Sequence, residues 1–168
     1  MNYIKISEND IANGPGVRVV LWVSGCSHNC KGCHNPETHP FNAGQLFDSA
    51  AEYYLFKCLS KSWIQGITFS GGDPLEPENF KSVHQLIRKI RDRFNDKKDI
   101  WIYTGYTLST EQVNSFYKLK ICDVVVDGPF IQDQKDISLP FCGSRNQRVI
   151  DVKQSFNQDK IVLYRNKY

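Results

Sequence analysis

The sequence predicts an α/β fold with a mainly parallel sheet, arranged as an incomplete (β/α) barrel that is open on one side. Short apolar runs alternate with amphipathic segments, in the order strand, helix, strand, helix, strand, helix, strand. A turn of unusual composition follows each of these strands. The chain has 168 residues, and because a complete eight-unit barrel takes at least about 200 residues, it has room for only part of one.

The first predicted strand follows a turn. Residues 13–16 (Asn-Gly-Pro-Gly) favour backbone angles that other residues avoid. Residues 17–23 are almost all apolar and β-branched, which is typical of a buried parallel strand. Apolar side chains at helical spacing then predict a helix from Asp48 to about Ser60, and residues 66–70 form the second predicted strand.

A second helix and a third strand come next. Pro77 can open the helix, because proline at the first helical position loses no hydrogen bond, and the apolar face continues to Phe94. Residues 100–103 form the third strand. Ser109 and Gln112 have the spacing of a capping box, which predicts a short third helix.

The last part of the chain carries a weaker pattern. Residues 121–126 form the fourth predicted strand, whereas 148–150 and 161–163 are weaker strand candidates separated by a polar segment. We therefore expect one domain over residues 1–168, in which residues 151–168 form a loosely ordered tail.

Composition limits the classes of function. The chain is 40% hydrophobic and 23% charged, as in ordinary globular proteins, and its net charge of +3 is too small for a nucleic-acid binder. Residues 1–13 hold no apolar signal-peptide core, and the apolar runs are too short to span a bilayer. We expect a cytoplasmic protein with neither nucleic acid nor membrane as a partner. In that reducing compartment, clustered cysteines more often bind a metal than form disulfides.

Three cysteines follow the first strand directly. Cys26, Cys30 and Cys33 are spaced Cys-x3-Cys-x2-Cys, and such soft thiolate ligands favour zinc, copper(I) or an iron–sulfur cluster. A tetrahedral zinc site would need a fourth ligand, which His28, His34 or a distant cysteine could supply. A four-iron cluster on three thiolates would instead leave one iron free to bind another group.

Four turns are expected on one edge of the sheet. The cysteine loop, residues 71–74 (Gly-Gly-Asp-Pro), residues 104–106 (Thr-Gly-Tyr) and residues 127–128 (Asp-Gly) each follow a predicted strand. The carboxyl ends of parallel strands meet at one edge, where α/β proteins bind ligands. The sequence therefore predicts a composite site there.

With both motifs in place, the chain resembles the radical S-adenosylmethionine enzymes. The cysteine loop matches the cluster motif of that family, and Gly-Gly-Asp-Pro after the second strand matches its methionine-binding motif. The likeness is narrower over residues 1–150, where the chain resembles the glycyl-radical activating proteins of anaerobic ribonucleoside-triphosphate reductases. The segments that carry this narrower resemblance are residues 13–18, 101–106, 124–128 and 143–147.

The resemblance implies the cofactors. Cys26, Cys30 and Cys33 would hold one 4Fe-4S cluster, and the fourth iron would bind the amino and carboxylate groups of S-adenosyl-L-methionine. Reductive cleavage of that molecule would supply the radical, so that the cofactors carry the difficult chemistry and the protein fixes the geometry.

Further cofactor contacts are implied around the cysteines. Gly32, Cys33 and His34 would lie against the adenosyl group, although His34 stands where the family usually has an aromatic residue. Gly71 and Gly72 would let the backbone approach the methionine moiety closely.

Three polar residues complete the implied set of contacts. Asp73 would orient its loop or accept a hydrogen bond from the amine of S-adenosyl-L-methionine. Asp127, together with Thr104, would contact the nucleoside or a bound cation. The alternative for Asp127 is that it caps the turn that follows its strand.

The resemblance also implies the partners. The large subunit of an anaerobic ribonucleoside-triphosphate reductase would lose a hydrogen atom from a glycine Cα. Cys58, Cys122 and Cys142 are too scattered for a second cluster, so a flavodoxin-type one-electron donor is implied. Two alternatives stay open: a small radical enzyme with a different substrate, and a zinc-stabilised binding module that uses the three cysteines and a histidine.

Overall fold

The fold is built on one seven-stranded mixed sheet, seen in a computed structural model that describes residues 1–165. The strand order is β3-β1-β2-β4-β5-β6-β7. The strands are β1 (Asn2–Asp10), β2 (Arg18–Val23), β3 (Gln45–Leu46), β4 (Gly66–Gly71), β5 (Asp99–Tyr103), β6 (Val124–Asp127) and β7 (Arg148–Asp151).

The centre of the sheet is parallel and its two sides are antiparallel. β2, β4, β5 and β6 run parallel, with Val23 opposite Gly71 and Tyr103 opposite Val126. β1 pairs antiparallel with β2 and β3, and β7 pairs antiparallel with β6. Within residues 1–165, β3 and β7 lie at opposite ends of the strand order, so the sheet is not closed. The incomplete (β/α) barrel stays a prediction.

Within residues 1–165, four α-helices accompany the sheet, and local sequence explains where they begin. Asp48 accepts a hydrogen bond from Ala51 N–H before the first helix, and the capping box predicted at Ser109 and Gln112 is confirmed before the third. Pro77 is the first residue of the second helix. The helices are α1 (Ser49–Leu59), α2 (Pro77–Phe94), α3 (Thr110–Lys118) and α4 (Val152–Gln158).

Side chains alternate between two buried layers. Val19, Leu21 and Val23 of β2 belong to the main core, which also contains the buried faces of α1, α2 and α3. Trp101 and Val126 point the other way and form a second, smaller cluster with Val124. The strands are thus covered on both faces, as the parallel arrangement requires.

A buried arginine lies at the amino end of the parallel strands. Arg18 is completely buried, with Nη2 2.7 Å from Asp99 Oδ1. Its Nε donates to Thr68 Oγ1 over 2.8 Å, and its Nη1 donates to the Pro15 carbonyl. A Cβ on Gly14 would lie 2.8 Å from Arg18 Nε, so glycine allows this turn to pack against the guanidinium group.

Residues 151–165 are more ordered than the sequence indicates. The expected loose tail contains α4, because the Asp151 side chain caps the helix and Val152 is buried. Residues 161–163, the second of the two weak strand candidates, form only an isolated β-bridge between Leu163 and Ile150. The part of the expected tail at residues 166–168 lies outside the described residues. Among residues 1–165, no helix combines the length and the apolar character that crossing a bilayer requires.

Candidate functional site

A cavity of about 170 Å³ lies at the carboxyl ends of the parallel strands. The structure brings the four turns together there, since the cysteine loop, residues 71–73, residues 104–105 and Gly128 all contribute to the wall. Of the ten residues predicted for the site, eight line this cavity: Cys26, Cys30, Cys33, His34, Gly71, Gly72, Asp73 and Thr104.

The three cysteines are free and only half-buried. Cys33 N–H donates to the Cys30 carbonyl over 3.1 Å, and Asn29 (φ 51°) and Gly32 (φ 73°) adopt left-handed backbone angles that make the loop tight. Burial raises the pKa of the Cys26 thiol to about 11, and it also raises the pKa of Cys33. Binding of a cation would therefore release protons from this loop.

The cysteine loop and the double-glycine turn touch through their backbones. Asp73 N–H donates to the Gly25 carbonyl over 2.8 Å, and Gly72 N–H donates to the Val23 carbonyl over 2.7 Å. A Cβ on Gly72 would lie only 2.5 Å from Gly25 O. Glycine at position 72 is thus required by the close approach of the two loops, and it leaves backbone groups exposed to the cavity.

Asp73 holds three loops together. Its Oδ2 accepts hydrogen bonds from Thr104 Oγ1 and Gly105 N–H, both over 2.9 Å, and lies 2.7 Å from His28 Nε2. Its Oδ1 accepts from Leu75 N–H over 2.8 Å. Of the two roles expected for Asp73, these contacts favour orientation of the loops. The hydrogen bond to Asp73 raises the pKa of His28.

Glu76 is a second carboxylate with a similar role, and no sequence motif predicts it. Its Oε1 accepts from Ser27 N–H over 2.7 Å and from Ser27 Oγ over 2.6 Å, and its Oε2 accepts from Tyr106 Oη over 3.3 Å. The Tyr106 ring meets the His28 ring edge-on, with centroids 4.5 Å apart. The only sequence signal is the position of Glu76, three residues after Asp73 and next to Pro77.

Asp127 does not line the cavity, and its expected contact with the nucleoside or a cation stays a prediction. Its Oδ1 accepts from Arg148 Nε over 2.9 Å, and its Oδ2 accepts from Leu108 N–H over 2.8 Å and from Arg148 Nη2. These bonds occupy both oxygens of a carboxylate that is buried in the core. Asp127 therefore anchors the turn after β5 and the start of β7. This structural role resembles the alternative expectation, in which Asp127 caps a turn.

Two further expectations concern the residues around Cys33. Gly32 does not line the cavity, and a Cβ there would face the Gln132 side chain at 3.0 Å. His34 does line it, and its ring packs against Phe130 with centroids 5.0 Å apart. Of Gly32 and His34, His34 is thus the residue that is placed to contact a bound molecule.

The donor set fits an iron–sulfur cluster that has three protein ligands. Three thiols share one cavity with a turn of exposed glycine backbone, which leaves space for a further ligand beside the cysteines. Ligand atoms of Cys26, His28 and Glu76 also lie within 4.8 Å of one another. That group offers one thiol beside an imidazole and a carboxylate, whereas iron–sulfur clusters are held mainly by cysteine thiolates, so the three thiols are the better donor set for a cluster.

Comparison with known proteins agrees with this donor set. A family model described as a 4Fe-4S single cluster domain matches residues 12–150. A relative from Haemophilus influenzae is 43% identical, with 88% of this chain and 96% of the relative covered. Relatives from Escherichia coli K12 and from Enterobacteria phage T4 are each 44% identical over 89% of this chain, covering 97% and 93% of the relatives. All three are named anaerobic ribonucleoside-triphosphate reductase-activating protein, and at this identity and coverage the chain belongs to that family.

Proposed function

We propose that this chain is a radical S-adenosylmethionine enzyme that generates a glycyl radical on the large subunit of an anaerobic ribonucleoside-triphosphate reductase. The observation that carries the proposal is that Cys26, Cys30 and Cys33 line the same cavity as the Gly71-Gly72 turn. The names of the relatives, which are activating proteins of that reductase, supply the target.

Each part of the site has a separate task. Cys26, Cys30 and Cys33 would hold one 4Fe-4S cluster through their thiolates. The backbone at Gly71 and Gly72 would receive the methionine end of S-adenosyl-L-methionine, because no side chain blocks the approach. When bound, the cluster and S-adenosyl-L-methionine together supply the one-electron chemistry that removes a hydrogen atom from glycine.

The remaining residues keep the loops in place. Asp73 fixes the loop at residues 104–105 through Thr104 Oγ1 and Gly105 N–H, so that the position of this part of the wall does not depend on a bound cofactor. His34 and Phe130 cover another side of the cavity. Such preorganisation lets binding energy be used for alignment of the reacting groups.

An external electron donor is part of the proposal. Within residues 1–165, the three other cysteines are free and lie on separate elements: Cys58 on α1, Cys122 before β6 and Cys142 in the loop before β7. Because the described residues offer no second group of cluster ligands, we propose that a flavodoxin-type protein delivers the electron.

The first experiment is anaerobic reconstitution with iron and sulfide, followed by reduction with dithionite in the presence of S-adenosyl-L-methionine. We expect an iron–sulfur absorption spectrum and release of 5′-deoxyadenosine, both lost in Cys26→Ala, Cys30→Ala and Cys33→Ala. Cys142→Ala, at a cysteine that does not line the cavity, is the matched control and should retain both. Retention of zinc without cluster formation or cleavage would contradict the proposal and indicate a zinc-stabilised module.

A second experiment tests the substrate. The reconstituted chain is mixed with the large subunit of an anaerobic ribonucleoside-triphosphate reductase, and electron paramagnetic resonance is used to look for a glycyl radical on that subunit. Cleavage of S-adenosyl-L-methionine without a radical on the reductase would favour a different substrate.

A further inference from the structure

The side chain of Glu76 leaves its own helix and reaches the cysteine loop. Glu76 is the residue before α2, yet it makes no capping hydrogen bond to the backbone of that helix. Its Oε1 instead accepts from Ser27 N–H and Ser27 Oγ, within the cysteine motif itself. The residue is only 3% exposed, although glutamate is almost never buried without partners.

The surroundings keep this carboxylate charged. Burial by itself favours the neutral form, but the two Ser27 donors, His28 and Tyr106 together hold the pKa of Glu76 below its ordinary value. The amino end of α2 adds a favourable dipole at the same place. These contacts therefore favour a negatively charged Glu76 against the cysteine loop.

That charge is close to a cluster ligand. Carboxylate, imidazole and thiol atoms of Glu76, His28 and Cys26 lie within 4.8 Å of one another. Charges at such separations interact far more strongly in a buried site than in water. Reduction adds one electron to the cluster, so a neighbouring carboxylate disfavours the reduced form. The potential of an iron–sulfur cluster depends on its net charge environment, on hydrogen bonds to its sulfurs and on exposure.

The Ser27 backbone acts in the same direction. Its N–H donates to Glu76 and is thereby unavailable to a sulfur atom of the cysteine loop. An N–H bond to sulfur would stabilise the reduced cluster. Both the negative charge of Glu76 and the loss of Ser27 N–H as a donor to sulfur therefore lower the reduction potential of the cluster.

We infer that Glu76 is a positioning residue that lowers the reduction potential of the cluster and so makes it a stronger reductant towards S-adenosyl-L-methionine. The inference rests on the proposed function, because it requires a cluster on Cys26, Cys30 and Cys33.

The test is a redox titration of the reconstituted chain without S-adenosyl-L-methionine, monitored by electron paramagnetic resonance. In Glu76→Gln the amide oxygen can still accept from Ser27 while the charge is lost. We expect reduction to become about threefold to tenfold more favourable, where tenfold corresponds to about 59 mV for one electron. Glu78→Gln removes the same charge from an exposed position on α2 and should leave the potential unchanged.

A second variant keeps the test decisive if Glu76→Gln fails to hold a cluster. Tyr106→Phe keeps the ring that packs on His28 but removes the hydroxyl that donates to Glu76 Oε2. At a pH well above the pKa of Glu76 the carboxylate stays charged and loses one neutralising donor, so the potential should shift in the opposite direction, to more negative values. A shift to a more positive value, or no shift, would overturn the inference.

The outcomes separate this inference from the proposed function. An intact cluster with equal potentials in the parent chain and Glu76→Gln would overturn the role of Glu76 alone. Iron and sulfide analysis showing that the parent chain assembles no cluster would overturn both proposals. A more positive potential in Glu76→Gln, with Glu78→Gln unchanged, would support the role of Glu76.

Discussion

Replacement of Asp127 by asparagine separates an anchoring role from a role in cofactor binding. Asp127 follows a strand that ends at the site, and the sequence predicts a contact with the nucleoside or a cation. In the structure its carboxylate accepts hydrogen bonds from the Arg148 guanidinium group and from Leu108 N–H. Asp127→Asn should therefore reduce the stability of the chain and leave its affinity for S-adenosyl-L-methionine unchanged.

The magnitude follows from the burial of the two partners. The side chain of Asp127 is 1% exposed and that of Arg148 is 32% exposed. Breaking a fully buried pair costs about 3–5 kcal/mol. Because water reaches part of the Arg148 guanidinium group, we expect a smaller loss of unfolding free energy, about 2–3 kcal/mol. For a chain of this length, that loss lowers Tm by about 4–12 °C.

The assay is urea unfolding of the chain under reducing conditions, with Arg148→Met as the second single variant. The double variant should lose about 1–2 kcal/mol less than the sum of the two single losses, because the pair can be broken only once. Asp133→Asn, at an exposed aspartate, is the control and should be neutral.

Binding of S-adenosyl-L-methionine to the cluster-loaded chain completes the test. An Asp127→Asn chain with parental stability and weakened binding would refute the anchoring role and support the predicted contact. A stability loss without any coupling to Arg148 would refute the ion pair as its cause.

Three further variants test other parts of the fold. Arg18→Met leaves Asp99 without its buried partner and should lower the unfolding free energy by about 2–4 kcal/mol in urea; an equally stable variant would mean that the pair contributes nothing. Gly72→Ala places a Cβ 2.5 Å from Gly25 O, so the turn must move, and affinity for S-adenosyl-L-methionine should fall at least about tenfold in a binding titration while iron content is retained. Unchanged affinity would show that the turn does not contact the ligand. Ser109→Ala removes the cap of α3 and should cost about 1 kcal/mol, seen as a Tm lower by about 2–4 °C; a Tm equal to that of the parent chain would contradict the capping box.

The site was predictable from sequence wherever it depends on strand ends. Parallel strands place their carboxyl ends at one edge, so apolar runs followed by unusual turns were enough to group the three cysteines with Gly71, Gly72 and Thr104. Backbone direction alone decides this grouping, and it needs no knowledge of side-chain conformation.

Contacts between distant side chains could not be read in the same way. Glu76 reaches Ser27 across 49 positions of the chain, and no local pattern distinguishes it from a surface glutamate beside a proline. Arg18 is likewise indistinguishable from an exposed arginine until the fold brings Asp99 to it. Asp127 has the residue type of a ligand, and only the position of Arg148 shows that both its oxygens are occupied.

Three elements, β1, β3 and α4, were missed for reasons of pattern strength. β3 has only two residues. β1 is a mostly half-buried strand with many polar residues, so alternation does not mark it. α4 has only seven residues, which is too short for a helical period to emerge, and its order comes from the Asp151 cap and the burial of Val152. Such elements depend on tertiary packing more than on their own sequence.

The two carboxylates that tie the loops together also determine how the site can open. Ser27 N–H donates to Glu76 from the cysteine loop and Gly105 N–H donates to Asp73 from the loop after β5, whereas Leu75 N–H donates to Asp73 within their own loop. If one loop moved alone, a buried carboxylate oxygen would lose its donor, at a cost of about 1–3 kcal/mol. The Ser27 and Gly105 amides should then exchange with deuterium through one shared opening event, since the loops unfold locally as a cooperative unit. Forms with a single displaced loop would thus be minor states, because a cost of about 1–3 kcal/mol lowers a population about 5-fold to 150-fold.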